Sequence, residues 1–117
     1  MKKILMSVVL LLVVPAISFG HIFMIESTPA PQSVTKKAPE KITITFAGSV
    51  ERAFSRVEVF DEKGRKVSGK TGFLENDTIM EADLQGPLSS GKYTVKWKCM
   101  SLDGHSQKGK FAFTVTE

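Results

Sequence analysis

Cysteine occurs once in these 117 residues, at Cys99, and histidine twice, at His21 and His105. One thiol excludes an intramolecular disulfide, so the fold has to rest on packing. No cysteine stands near residue 20 to carry a lipid. Helical periodicity is missing from residue 21 onward, as are internal repeats and low-complexity segments, which leaves strands as the regular structure. The excess of one sign of charge is small as well. The formal charge is +4, and taking away Lys2 and Lys3 leaves +2. Lysines such as Lys36, Lys37, Lys63, Lys66, Lys92, Lys96 and Lys98 are interspersed with acids. They read as a solvated surface rather than the clustered basic face with aromatics that a nucleic-acid partner requires.

A long apolar run occurs once, at the start. Lys2 and Lys3 precede ILMSVVLLLVV, then Pro15 and the small residues ending ISFG. This is the form of a cleaved secretory signal over residues 1–20. The run falls short of the roughly 18 to 20 residues that a membrane span needs, and Pro15 interrupts its extension. No stable membrane insertion is expected after cleavage. Composition favours a cut after Gly20, while cuts after Ala16 or Ser18 also satisfy the small-residue rule. Residues 21–117 are then one small exported domain.

That domain alternates with period two. KITITFA sets Ile42, Ile44 and Phe46 on one face, and SRVEVFD does the same with Val57 and Val59. A turn through Lys63 and Gly64 leads into a further short strand, making a hairpin. Met80, Ala82 and Leu84 share a side, as do Tyr93, Val95, Trp97 and Cys99, and then Phe111, Phe113 and Val115. Trp97 with Phe46, Phe60, Phe111 and Phe113 is assigned to the core. The first regular strand is placed at residue 41, after an irregular proline-containing stretch with Pro29, Pro31 and Pro39. PLSSGKYTV has the form of a tyrosine corner, with Tyr93 bonding to backbone just upstream. An all-β Greek-key sandwich of the immunoglobulin-like or cupredoxin-like kind follows.

The two histidines carry the chemistry. A cut after Gly20 makes His21 the first residue, where its free amine and ring Nδ1 can chelate one metal together. An α-amine of pKa about 7.7 to 8.0 releases its proton to a metal at small cost near neutral pH. In SLDGHSQKG, His105 offers a third nitrogen and Asp103 an oxygen, with Gly104 between them letting the backbone turn. Taken alone, Asp-Gly-His is an ordinary polar turn. Combined with a terminal histidine it makes an N3O set that suits Cu(II) in a tetragonal arrangement, with Zn(II) as competitor. Cys99, in phase with Tyr93, Val95 and Trp97, reads as a buried inert thiol.

Residues 21–117 resemble the CopC family of periplasmic copper-binding proteins, small Greek-key sandwiches. The likeness lies in the starting histidine followed by STPAP, in ITITFAGSVERAFSRVEVFDEKGRKV, in LSSGKYTVKWKCMSLDGHSQKG and in the closing FAFTV. It implies copper ligands at His21, Asp103 and His105, a periplasmic location, and delivery to a CopD-type inner-membrane protein. Two departures qualify it. Gly48 stands where many relatives have an acidic residue, leaving Glu51 as the alternative carboxylate. Met24, Met80 and Met100 are far apart in sequence, and Met80 and Met24 read as core filling, so one Cu(II) site and no thioether site for Cu(I) is expected. The reading is a copper-binding protein and not an enzyme. Its rivals are a histidine-brace oxidative enzyme, disfavoured by the equatorial carboxylate and the small surface, and a metal-free structural or adhesive sandwich.

Overall fold

In the computed structural model, which describes residues 22–117, the alternating stretches form strands and the apolar side of each meets a partner across a sandwich. One sheet contains β1 (Met24–Thr28), β3 (Lys41–Phe46), β6 (Ile79–Asp83) and β5 (Gly72–Leu74), in the spatial order β1-β3-β6-β5. The other contains β2 (Val34–Thr35), β8 (Ser106–Val115), β7 (Gly91–Met100) and β4 (Arg56–Phe60), in the order β2-β8-β7-β4. All pairings are antiparallel except that of β2 with β8. Among the described residues the helical content is one turn of 3₁₀, Arg52–Phe54. The chain moves repeatedly between sheets, as the expected β-sandwich requires.

The inner faces follow the sequence pattern. Ile42, Ile44, Phe46, Met80, Ala82 and Leu84 from the first sheet meet Val57, Val59, Tyr93, Val95, Phe113 and Val115 from the second, all buried. Each fully buried large aliphatic or aromatic side chain contributes about 1.5–3 kcal/mol relative to exposure. Tyr93 makes the predicted corner. Its hydroxyl donates to the carbonyl of Ser89 at 2.6 Å, and its ring stacks on Phe113 at 5.4 Å between centroids.

Three expectations need correction. A regular strand precedes residue 41, because β1 occupies the outer edge of β3. It lacks alternation because its register shifts between Met24 and Glu26, leaving Ile25 63% exposed, and because Ser27 takes the inward position. Phe60 is half-buried and faces outward: with Val57 and Val59 inward, parity puts it on the other side, under the Lys96 ammonium at 5.0 Å. The short strand expected after Gly64 is a connector that joins the two sheets. Val67 donates its N–H to the carbonyl of Val59 in the second sheet, while Gly69 donates to the carbonyl of Asp83 in the first. The Ser68 hydroxyl accepts the N–H of Val59, so this segment caps the exposed edge of β4.

Candidate metal site

β7 and β8 form one long hairpin whose last ladder pair is Met100 with Ser106. Beyond it, Ser101 donates its N–H to the carbonyl of His105 at 2.8 Å, and Gly104 donates to the carbonyl of Ser101 at 3.0 Å. Gly104 has φ +90°, which suits the glycine of a three-residue hairpin loop. Leu102, Asp103 and Gly104 are that loop, so Asp103 and His105 come from its tip and its returning leg.

The structure brings these two side chains together. Oδ2 of Asp103 lies 3.0 Å from Nδ1 of His105. Oδ1 of Asp103 accepts the hydroxyl of Ser101 and, at 3.4 Å, the backbone N–H of His105. The Ser101 hydroxyl oxygen also accepts that N–H, at 3.2 Å. The bond from Ser101, followed by that from His105, holds the Asp103 carboxyl below its ordinary pKa, so it is anionic at neutral pH. With Nδ1 facing the carboxylate, Nε2 is the ring nitrogen turned away from it. Ser101 is buried at 4% exposure, while the side chains of His105 and Asp103 are 68% and 40% exposed. A buried hydroxyl thus holds an exposed pair of donors. Sequence reasoning missed Ser101, and nothing in the sequence marks it, since serine is common before a turn.

The base of the loop rests on the chain that follows β3. Val50 bridges to Ser101, and Glu51 donates its N–H to the carbonyl of Met100 at 2.8 Å. This segment is pinned from behind, since Val50 donates to the carbonyl of Asp77 and Arg52 Nε meets Asp77 Oδ1 at 2.8 Å. Among the described residues no three His, Cys, Asp or Glu side chains converge, so Glu51 does not complete a site with Asp103 and His105. Cys99 is buried at 1% exposure, and burial raises the pKa of its thiol, which makes it a packing residue.

His21, the 1–20 signal and the cut after Gly20 lie outside the described residues. The neighbouring Ile22 does not. It is buried in the core, and a Cβ placed on Gly48 would sit 3.8 Å from its Cγ1. Phe23 accepts the N–H of Ala47 at 2.9 Å. Residues 47–51 therefore touch Ile22 and Phe23 at one end and the base of the Asp103–His105 loop at the other.

A CopC domain model matches residues 24–116. The chain belongs to the CopC family. Its sandwich superposes on CopC from Methylosinus trichosporium OB3b with a TM-score of 0.73 at 30% identity, covering 81% of this chain and 93% of that one. It also superposes on PcoC, a methionine-rich copper resistance protein from Escherichia coli, with a TM-score of 0.72 at 29% identity, covering 82% and 99%. In sequence it is 32% identical to protein YobA of Escherichia coli K12 over 108 residues, 89% of this chain and 85% of that protein. It is 30% identical over 107 residues to the copper transport protein CutJ of Bacillus subtilis, 90% of this chain. This CopC-family chain spans only 20% of the length of CutJ.

Proposed function

We propose that this protein is exported to the periplasm by a signal over residues 1–20, is cut after Gly20, and binds one Cu(II) ion. The donors are the amine and ring of His21, a carboxylate oxygen of Asp103 and the imidazole of His105. It serves as a carrier or buffer of copper in homeostasis or resistance, not as an enzyme, and passes the ion to a CopD-type inner-membrane protein. Relatives named for copper transport and copper resistance support the class of function.

The observation that carries the ligand set is the placement of Ile22. It packs beside Gly48, and two residues further on Val50 pairs with Ser101 at the base of the loop. Gly48 and Val50 are two residues apart, at most about 7 Å along the chain, and an antiparallel pair adds about 5 Å, so the loop base lies on the order of 10 Å from the position beside Ile22. The Asp103–His105 pair supplies a carboxylate oxygen and an imidazole nitrogen, donors that match Cu(II). Asp103 would hold the ion through a carboxylate oxygen, with Oδ1 kept in place by the Ser101 hydroxyl.

Mass spectrometry of the exported protein, followed by Cu(II) titration with Trp97 fluorescence, tests the reading. The expected result is a mature start at His21 and one equivalent bound, with binding weakened in His105→Ala and when one residue is left ahead of His21. A start elsewhere combined with weak binding overturns it. Oxidised products from polysaccharide with ascorbate would overturn the assignment as a carrier.

A further inference from the structure

Lysine is spread along the sequence, but strand alternation gathers it in space. The outward residues of β7 and β8 include Lys92, Lys96, Lys98, Lys108 and Lys110, all exposed. Their register puts Lys98 opposite Lys108 and Lys96 opposite Lys110. β4 adds exposed Arg56 opposite Lys98. The outward carboxylate within these three strands is Glu58, which is already engaged by Arg56 Nε at 3.0 Å and Lys66 Nζ at 3.3 Å. Leaving out Lys2 and Lys3, fourteen of the sixteen basic residues remain, and six of them stand on these three strands against one of the twelve acids, with Glu62 at the Lys92 edge, where its Oε1 accepts the Lys92 N–H at 2.7 Å. The rest of the domain then has eight basic and eleven acidic residues, a net negative remainder. Like charges directly opposite one another destabilise a sheet, and the row Arg56–Lys98–Lys108 makes that contact twice.

We propose that this outer face of the second sheet docks on a bilayer surface rich in anionic phospholipid, by attraction to the lipid phosphates and without insertion. The cations span three adjacent strands and seven residues of β7, Lys92 to Lys98, an area of roughly 10 by 20 Å on strand geometry. Five of the six are lysines, whose long flexible stems adapt to mobile headgroups. The outward residues among them, Thr94, Ala112 and Thr114, provide no apolar anchor, and the Phe60 ring is covered by Lys96. A specific protein interface selects aromatic and arginine anchors and is depleted in lysine. Single-stranded nucleic acid requires stacking platforms. A charged lipid surface requires only charge density, and each basic side chain held near it strengthens binding about fivefold. The Asp103–His105 loop closes the same hairpin, just beyond Met100 and Ser106, so docking would hold it at the membrane. The docking itself is independent of copper.

The test is co-sedimentation of the exported protein with vesicles of phosphatidylcholine alone or mixed with phosphatidylglycerol. Binding is expected only to the mixed vesicles, and it should fall steeply as salt rises. Replacing Lys98, Lys108 and Lys110 together by Gln should weaken it about a hundredfold. The same change of net charge at Lys36, Lys37 and Lys63 should leave it within about threefold. Circular dichroism and Trp97 emission verify that both variants fold. Equal losses in the two variants, no binding to the mixed vesicles, or release by millimolar inorganic phosphate at constant ionic strength would each overturn the proposal. So would tighter retention by polyglutamate than by mixed vesicles at matched ionic strength, which would assign the face to an acidic protein segment.

Discussion

Gly109 lies opposite Trp97 in the β7–β8 ladder, and a Cβ built on it would fall 2.5 Å from Trp97 Cζ2 and 2.7 Å from Cε2. Carbon atoms rest at about 3.5–4.0 Å, so Gly109→Ala requires the indole to move by roughly 1 Å. The ring has little room to move inward, because Phe46 packs edge-on to it at 5.5 Å between centroids and is itself buried. Overpacking of this kind costs about 1–3 kcal/mol. Set against it is a gain of about 0.4–1 kcal/mol, since alanine restricts the unfolded chain. The net expectation is destabilisation by about 1–2 kcal/mol, which for a domain of this size lowers Tm by roughly 5–15 °C. Urea unfolding followed by far-ultraviolet circular dichroism measures it without relying on the displaced tryptophan. Repeating the substitution in a Trp97→Leu background closes a double-mutant cycle, and there the alanine should cost little or become favourable. An equal cost in both backgrounds would refute the indole as the reason for glycine.

Ser101→Ala removes the hydroxyl that holds Asp103 and should weaken Cu(II) binding about tenfold or more while leaving the Trp97 spectrum unchanged; unaltered affinity would show that the loop needs no such support. Tyr93→Phe deletes the bond to Ser89 and should cost about 1 kcal/mol, read as a lower denaturant midpoint at constant slope. Asp61 accepts the N–H groups of Arg65 and Lys63 and the Arg65 guanidinium, and the Arg65 backbone bond foremost lowers its pKa. Its contribution is therefore present above the ordinary carboxylate value of about 3.9 and is lost as pH falls through the lower native one. Asp61→Asn should be less stable than the parent at neutral pH, with the two stabilities converging in acid; a constant gap down to low pH would contradict this.

Where burial alternates, the strands were legible residue by residue. β3, β4, β6, β7 and β8 fall where their apolar positions put them, and the Tyr93 corner could be read from PLSSGKYTV. β1 was not legible, since it is defined by the open edge of β3 and its bulge at Ile25 destroys the period. Phe60 misled because hydrophobicity argued for the core while parity with Val57 and Val59 sent it outward. At the candidate site Asp103, Gly104 and His105 could be picked out by residue type. Ser101 could not, because serine before a turn has no mark until its hydroxyl is seen behind the carboxylate.

By itself the sequence determined the period-two pattern, hence a sandwich without disulfides, and the donor types that a copper site would use. Both are local properties, set by side-chain alternation and ligand chemistry. Only the tertiary structure decided which segments became neighbours. It set Ile22 beside Gly48 and Val50 beside Ser101, and it turned scattered lysines into one cationic face. The physical reason is that sheet register couples residues far apart in the chain, and the pairing of β4 with β7 and β7 with β8 fixes which charges face each other.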